Sequence, residues 1–127
     1  MNSRKQGDVG TGFAIAHFLS NGYTVSIPIS DSQAYDLVVE KSGQFLKVQA
    51  KTCFKKRVQG NCSFYNVELR TVSNTRGKKL SIRKLTKDDC DLIFIVDGEN
   101  KKYLIPFSNV EGMGQISLSS RQEFLVG

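Results

Sequence analysis

Two short runs of β-branched and apolar residues, separated by a glycine turn, constrain the fold of this chain most strongly. They cover residues 35–40 and 45–51, and the turn between them is Lys-Ser-Gly-Gln at 41–44. A connection this short allows only antiparallel neighbours, so the two runs are predicted to form a hairpin.

Three polar residues of this hairpin are predicted to meet at one edge of one sheet face. In a hairpin closed around Ser42 and Gly43, residue 36 lies opposite residue 49 or 50. Residues 49 and 51 differ by two and share a face, whereas Ala50 points to the other face and into the core. We therefore expect Asp36, Gln49 and Lys51 to converge.

The rest of the chain alternates helical and extended patterns. Helical spacing of apolar residues predicts a helix over residues 4–19 that ends at Asn21-Gly22. Further strands are predicted over 23–28, 62–72, 91–97, 101–105 and 115–118, with short helices over 85–90 and from 119 to 124 and a mobile loop over 73–79. We expect Ser119 or Ser120 to cap the last helix. This order predicts a mixed α/β domain spanning residues 1–127 around a central sheet.

Positive charge is concentrated in the middle of the sequence. The formal net charge is +6, and between residues 51 and 87 the only acidic residue is Glu68. The basic residues there form two clusters, the first being Lys55, Lys56 and Arg57, and the second Arg70, Arg76, Lys78, Lys79, Arg83 and Lys84. Such clusters form either a solvated basic surface or a contact with phosphates, and counterion release favours the second interpretation.

The cysteines and the lack of a long apolar run argue against several protein classes. Three cysteines without a CxxC pair and a single histidine argue against a structural zinc site. A disulfide between Cys53 and Cys62 is one alternative, but reduced thiols fit a sequence without an export signal. With no apolar run of roughly 20 residues to span a membrane, we expect a cytoplasmic protein with no membrane partner.

The oxygen-rich edge of the hairpin suits phosphodiester hydrolysis. The Asp36 carboxylate, the Gln49 amide oxygen and the Ala50 carbonyl are hard ligands of the kind that Mg²⁺ prefers. Lys51 can orient a water molecule and stabilise negative charge on the transition state. The competing interpretation is structural, with Asp36 as a turn residue and the end of the second run as an exposed edge.

The sequence around these residues resembles a known family. The segments GYTVSIPISDSQAYDLVVE, FLKVQAKT and DLIFIVDGENKKYLIPFSNV are similar to the PD-(D/E)xK nuclease superfamily. Within it the chain most resembles the cyanobacterial group I intron homing endonucleases, and more distantly the archaeal Holliday junction resolvases. The resemblance implies an αβββαβ restriction-endonuclease-like core with a mixed central sheet. It also implies double-stranded DNA cleavage with Mg²⁺, or Mn²⁺ in its place, by a homo-oligomer, either a dimer or a tetramer.

By motif match, Asp36 takes the position of the first acid, Gln49 that of the second acid and Lys51 that of the lysine. Two positions depart from the superfamily pattern. Gln49 replaces an acid, as in the intron-endonuclease branch, and Thr11 stands where a first-helix glutamate is expected. Asp8 lies one turn earlier on a similar face and is the candidate to replace that glutamate, its alternative role being to complement the helix dipole.

The leading hypothesis is therefore a site-specific endonuclease. Its fourth strand and the loop up to residue 84 would place Arg70, Arg76, Lys78, Lys79 and Arg83 in the major groove. Lys55, Lys56 and Arg57 would hold the DNA backbone. The alternatives are a junction resolvase or repair nuclease, a DNA-binding module with little catalytic power, and a structural protein without DNA affinity.

Overall fold

One long helix and a series of short strands make up residues 1–30, 32–73 and 81–127, the part of the chain that this computed structural model describes. The helix is α1 (Ser3–Ser20). The strands are β1 (Thr24–Ser26), β2 (Leu37–Lys41), β3 (Gln44–Cys53), β4 (Arg57–Gln59), β5 (Cys62–Phe64), β6 (Asn66–Glu68), β7 (Arg70–Ser73), β8 (Ser81–Lys84), β9 (Leu92–Asp97), β10 (Lys102–Pro106), β11 (Gln115–Ser117) and β12 (Leu125–Val126). The predicted contacts of Arg76, Lys78 and Lys79 with DNA lie outside the described residues.

A six-stranded sheet in the order β1-β2-β3-β9-β10-β12 forms the centre. Its β3 and β9 strands run parallel, and every other neighbouring pair is antiparallel. The sheet is therefore mixed, and the mixed α/β fold predicted from the sequence is confirmed.

The β2–β3 hairpin has the predicted arrangement. Its register runs from Leu37 opposite Val48 to Lys41 opposite Gln44. Ser42 and Gly43 form the turn with φ values of 53° and 82°, the left-handed conformation that tight hairpin turns require. Continuing this register by one step places residue 36 opposite residue 49.

Helix α1 covers one face of the central sheet. Ala14 and Phe18 of the helix pack with Val48, Phe94 and other apolar residues of β2, β3 and β9. The helix begins after Asn2, whose side-chain oxygen accepts a hydrogen bond from the Lys5 N–H at 2.9 Å. It ends at Asn21, next to Gly22 with φ +84°, so both predicted helix ends are close to the observed ones.

The opposite face is covered by the segments that follow β3 and β10. Ile93 and Ile95 of β9 point into this second core, together with Val67, Leu69 and Phe107. Successive residues of β9 thus pack alternately into the two cores, as expected for a strand buried on both faces.

The single strand predicted over residues 62–72 is wrong in detail. It is divided into β5, β6 and β7, which pair with three different partners, β4, β11 and β8. Between β5 and β6, the carbonyl of Tyr65 accepts a hydrogen bond from the Leu118 N–H at 2.9 Å. The chain changes partner there, so one continuous strand cannot form.

The short helix predicted over residues 85–90 is also wrong, because this segment is a turn. The carboxylate of Asp89 accepts hydrogen bonds from the Thr86 N–H at 2.7 Å and the Thr86 hydroxyl at 3.2 Å. Leu85 and Cys90 at its two ends are buried in the second core. This leaves too few residues for a helix between β8 and β9.

The final helix predicted over residues 119–124 is replaced by two 3₁₀ turns, Leu118–Ser120 and Gln122–Phe124. The Ser119 hydroxyl contacts the Ser117 hydroxyl at 2.8 Å, and the Ser120 hydroxyl donates to the Ser117 carbonyl at 2.9 Å. Neither serine caps an α-helix, because β12 pairs with β10 directly after these turns and the chain is already committed to the sheet.

The cysteines Cys53, Cys62 and Cys90 are all free thiols. Burial raises the pKa of Cys90 to about 12, so this thiol stays protonated and unreactive at neutral pH. In the described part of the chain, no helix has the length and apolar character needed to cross a membrane.

Candidate active site

Asp36 is held over β3 by the backbone of that strand. It lies directly before β2, and its own N–H donates to the Val48 carbonyl at 2.8 Å. Its Oδ2 atom accepts a hydrogen bond from the Ala50 N–H, also at 2.8 Å. The carboxylate is therefore fixed beside the last residues of β3, as the hairpin register predicts.

Gln49 and Lys51 lie on the sheet face opposite α1. Two residues further along the same face, Cys53 enters the second core, whereas Ala50 packs on the helix side. As predicted, Ala50 lies on one face of the sheet, and Gln49 and Lys51 lie on the other. Asp36, Gln49 and Lys51 come together at one edge of the sheet.

The Gln49 side chain carries an unusual acceptor. Its Oε1 atom is buried and has no hydrogen-bond partner in the described part of the chain. A buried amide oxygen without a partner carries a desolvation cost of about 1–3 kcal/mol. An ordered water, a bound ion or a catalytic role commonly accounts for such an atom.

Lys51 is tied to the segment that leaves the sheet. Its Nζ donates to the Arg70 carbonyl at the start of β7, at 2.9 Å. This contact joins the β3 end of the site to the β7/β8 ribbon, the two-stranded unit formed by β7 and β8. The sequence carries no signal for this contact because it depends on how the ribbon packs.

Burial perturbs both ionisable groups of the site. It raises the pKa of Asp36, against the opposing effects of the Ala50 N–H and the Lys51 charge. It lowers the pKa of Lys51, against the charges of Asp36, Cys90 and Glu68. Both charged forms are therefore disfavoured, and a bound cation would favour the ionised Asp36.

Glu68 is the acid that sequence reasoning did not place at the site. Its charge acts on Lys51 because β6 packs beside β3. The one available sequence signal was its position as the only acid in the basic stretch between residues 51 and 87.

The oxygen atoms at this edge fit a hard divalent cation. Oδ2 of Asp36 is engaged by Ala50, which leaves Oδ1 of Asp36 and Oε1 of Gln49 as acceptors, and oxygen is the donor that Mg²⁺ prefers. Within residues 1–30, 32–73 and 81–127, His, Cys, Asp and Glu form no cluster of three or more that could hold a metal. The donor set is accordingly one carboxylate with neutral oxygens.

The first-helix candidates are not brought into hydrogen-bond contact with the site. Asp8 is exposed, and the Thr11 hydroxyl donates to the Gly7 carbonyl of its own helix at 3.2 Å. Helix α1 packs closely on β3 at Gly10, where a Cβ would lie 3.7 Å from the Lys51 backbone.

The basic residues fall into two groups. Lys55, Lys56 and Arg57 follow β3 and are exposed, and so is Arg70. Arg83 is exposed as well, but it donates from both terminal nitrogens to Asp89, at 2.7 and 2.8 Å. Its guanidinium is therefore engaged within the protein.

Comparison with known proteins shows the family and the fold of the chain. A family model described as PD-(D/E)XK endonuclease matches residues 1–121. Among solved structures, the chain is similar to a bacterial homing endonuclease, I-Ssp6803I, with a TM-score of 0.75 and 26% sequence identity over 92% of this chain and 78% of that one. No curated protein matches. Because the family model covers nearly the whole sequence, this chain belongs to the PD-(D/E)XK endonucleases.

Proposed function

We propose that this chain is a Mg²⁺-dependent, site-specific endonuclease of the homing type, acting on double-stranded DNA. The observation that carries the proposal is the buried Oε1 of Gln49, which has no hydrogen-bond partner among the described residues, beside the anchored carboxylate of Asp36. Both atoms lie at the hairpin edge that also holds Lys51. The likeness to a solved bacterial homing endonuclease supports the type of nuclease.

Asp36, Gln49 and the backbone carbonyl of Ala50 would hold the cation. When bound, Mg²⁺ polarises the scissile phosphate and lowers the pKa of a water molecule; Mn²⁺ would supply the same chemistry. The Lys51 Nζ orients the attacking water and stabilises negative charge that develops on the phosphate oxygens. Its lowered pKa makes proton exchange with that water easier than for an ordinary lysine.

Asp8 and Thr11 would act on the site from α1 without contacting it. α1 reaches β3 at Gly10, so a side chain on this helix can influence the Lys51 end of the site. Asp8 would add negative charge from that side, and Thr11 would do so if replaced by glutamate.

Double-stranded DNA would approach the edge where the site opens. Lys55, Lys56 and Arg57 would hold the backbone on one side, and Arg70 with Arg76, Lys78 and Lys79 on the other. We further propose that residues 1–127 act as one nuclease domain in the cytoplasm and assemble into a dimer or tetramer, so that two sites cut the two strands.

The test is cleavage of a duplex DNA library in Mg²⁺ and Mn²⁺, with Asp36→Ala and Lys51→Ala as controls. We expect cutting at a limited set of sites that both substitutions abolish. Preferential cutting of a four-way junction over linear duplex would replace the homing proposal with a junction resolvase. DNA binding without cutting in either metal would make the chain a DNA-binding module.

A further inference from the structure

The two faces of the β7/β8 ribbon carry different side chains. In its register Arg70 lies opposite Lys84 and Val72 opposite Ile82, whereas Thr71 opposite Arg83 falls between these pairs. Directly opposed residues of an antiparallel pair share a face, and successive pairs alternate. One face therefore presents two cations and two apolar side chains.

Arg70 and Lys84 are like charges placed directly opposite each other, an arrangement that destabilises a strand pair. Neither has an acidic partner in the described residues, where the ion pair observed is that of Arg83 with Asp89 on the other face. No described residue accepts a hydrogen bond from the Arg70 guanidinium, which has five N–H donors. Such a pair is stabilised when an anion lies between the two charges.

The neighbouring backbone is shaped around these two side chains. A Cβ at Gly114 would lie 2.7 Å from Nη2 of Arg70 and 3.5 Å from Cε of Lys84. Lys84 Nζ is 3.4 Å from the Gly112 carbonyl, a long and weak contact. Both cations thus lie against the same glycine segment, and a methyl group at position 114 would shift the Arg70 guanidinium from its present place.

This pair lies next to the proposed cleavage site. The carbonyl of Arg70 accepts the Lys51 hydrogen bond at 2.9 Å, so one residue connects the catalytic lysine with the exposed face of the ribbon. Further out on that face, Val72 is 55% and Ile82 is 70% exposed. Apolar side chains in this position can contact thymine methyl groups in a DNA groove.

We propose that Arg70 and Lys84 form a clamp for a single DNA backbone phosphate that flanks the scissile one. Val72 and Ile82 on the same face lie towards the groove, and Arg83 on the opposite face fixes the ribbon through Asp89 and makes no DNA contact. This inference rests on the proposed function, because it takes DNA as the bound anion.

The salt dependence of DNA binding tests the clamp. Binding of the whole chain to a short duplex is measured in metal-free buffer at several salt concentrations, where log K falls with a slope of about −0.9 for each phosphate neutralised. The double variant Arg70→Gln/Lys84→Gln should have a slope shallower by about 0.9, the loss of one phosphate. Gly114→Ala should give a change in the same direction because its methyl group displaces Arg70.

The matched control is Lys41→Gln, which removes an exposed cation at the far end of the β2–β3 hairpin and should leave the slope unchanged. Two results would overturn the clamp. The salt slope of the double variant could equal that of the wild type, or it could be shallower by about 1.8, which would signal two separate phosphates. If the wild type cleaves DNA and the variants have the wild-type salt slope, only the clamp is contradicted. If the wild type does not cleave DNA at all, the proposed function is contradicted.

Discussion

At the scale of single residues, the charge of the oxygen donors would set the affinity of the proposed site for a cation. Asp36 contributes one carboxylate, and Gln49 contributes a neutral oxygen that is already buried and, among the described residues, unpartnered. Divalent cations bind more tightly as the number of charged ligands rises. The site should therefore need a higher concentration of metal than one with two carboxylates.

Gln49→Glu tests this directly. The substitution places a second carboxylate where the Oε1 acceptor already lies, so we expect the Mg²⁺ concentration for half-maximal cleavage to fall by about tenfold. Titration of the cleavage rate with Mg²⁺ measures the effect. Gln44→Glu, at the exposed start of the same strand, adds the same charge far from the site and should change nothing; equal shifts in both variants would argue against Gln49 as a ligand.

The raised pKa of Asp36 also predicts an effect on stability without metal. A carboxyl group with a higher pKa in the folded state favours folding while protonated, and this contribution is lost as the pH rises through the folded pKa. Asp36→Asn stays neutral, so it should unfold at a higher temperature than the wild type at neutral pH. This gain in unfolding temperature should shrink as the pH falls towards the ordinary aspartate pKa of 3.8. A gain of equal size at low pH would show that it comes from packing and not from the charge of Asp36.

The convergence of Asp36 and Gln49 could be predicted because it needs only strand periodicity and a short turn. The contact of Lys51 with the Arg70 carbonyl and the influence of Glu68 on Lys51 could not. Both depend on the packing of β6 and β7 beside β3, which joins residues that are far apart in the sequence and share no local pattern.

At the scale of elements, α1 packs closely on β3, the strand that carries Gln49 and Lys51, through a glycine contact. A Cβ at Gly10 would lie 2.8 Å from Cγ2 of Thr52, whereas a Cβ at Gly12 would meet no described atom within 4 Å beyond its chain neighbours and the adjacent helix backbone. Three helix glycines are costly on helix propensity alone. At Gly10 this cost is offset by close packing of the helix on β3.

Gly10→Ala should lower the free energy of unfolding by about 1–3 kcal/mol, because Thr52 is β-branched and its methyl group cannot easily move away. Gly12→Ala is the matched control on the exposed side of the same helix. It should raise stability by up to about 1 kcal/mol through its better helix propensity. Urea unfolding compares the two variants, and a stabilised Gly10→Ala would refute close packing at this position.

The turn between β8 and β9 is stabilised by one ionic group. Hydrogen bonds from Arg83 and Thr86 lower the pKa of Asp89 from 3.8 to about 2. A lowered pKa contributes stability above the unfolded value, and this contribution is lost as the pH falls through the folded value. The relevant window is therefore pH 3.8 down to about 2.

Asp89→Asn should destabilise the protein by about 2 kcal/mol at neutral pH, since it removes the charged acceptor of Arg83. The difference in the free energy of unfolding between this variant and the wild type should narrow as the pH falls from 3.8 to about 2. Asp88→Asn changes an exposed neighbour and should have little effect. Thermal unfolding at several pH values measures this, and a pH-independent difference would show that the charge is unimportant.

Two element predictions between β3 and β9 were wrong, and each has its own physical reason. Over residues 85–90, Asp89 bonds to Thr86 and Arg83 and closes a turn in place of the predicted helix. Residues 62–72 alternate like one strand, yet the alternation does not reveal that three partners divide it. Local periodicity determines the type of an element better than its pairing.

At the scale of the whole molecule, the parts fit a DNA-cleaving enzyme arranged around one sheet edge. The exposed basic residues after β3 and the cationic face of the β7/β8 ribbon lie on segments that emerge near Lys51. A chain with +6 net charge attracts polyanions in general, so binding alone does not establish the enzyme. Separation of binding from cleavage is the decisive property.

The most direct measurement is therefore to assay binding and cleavage of one duplex target in parallel for the wild type and Lys51→Ala. Binding is followed in metal-free buffer and cleavage after Mg²⁺ is added. The account predicts that the variant binds within a few-fold of the wild type and retains its salt dependence, but cuts about 100-fold more slowly or worse. Cleavage by Lys51→Ala at the wild-type rate would contradict the assignment of the active site to the β2–β3 hairpin.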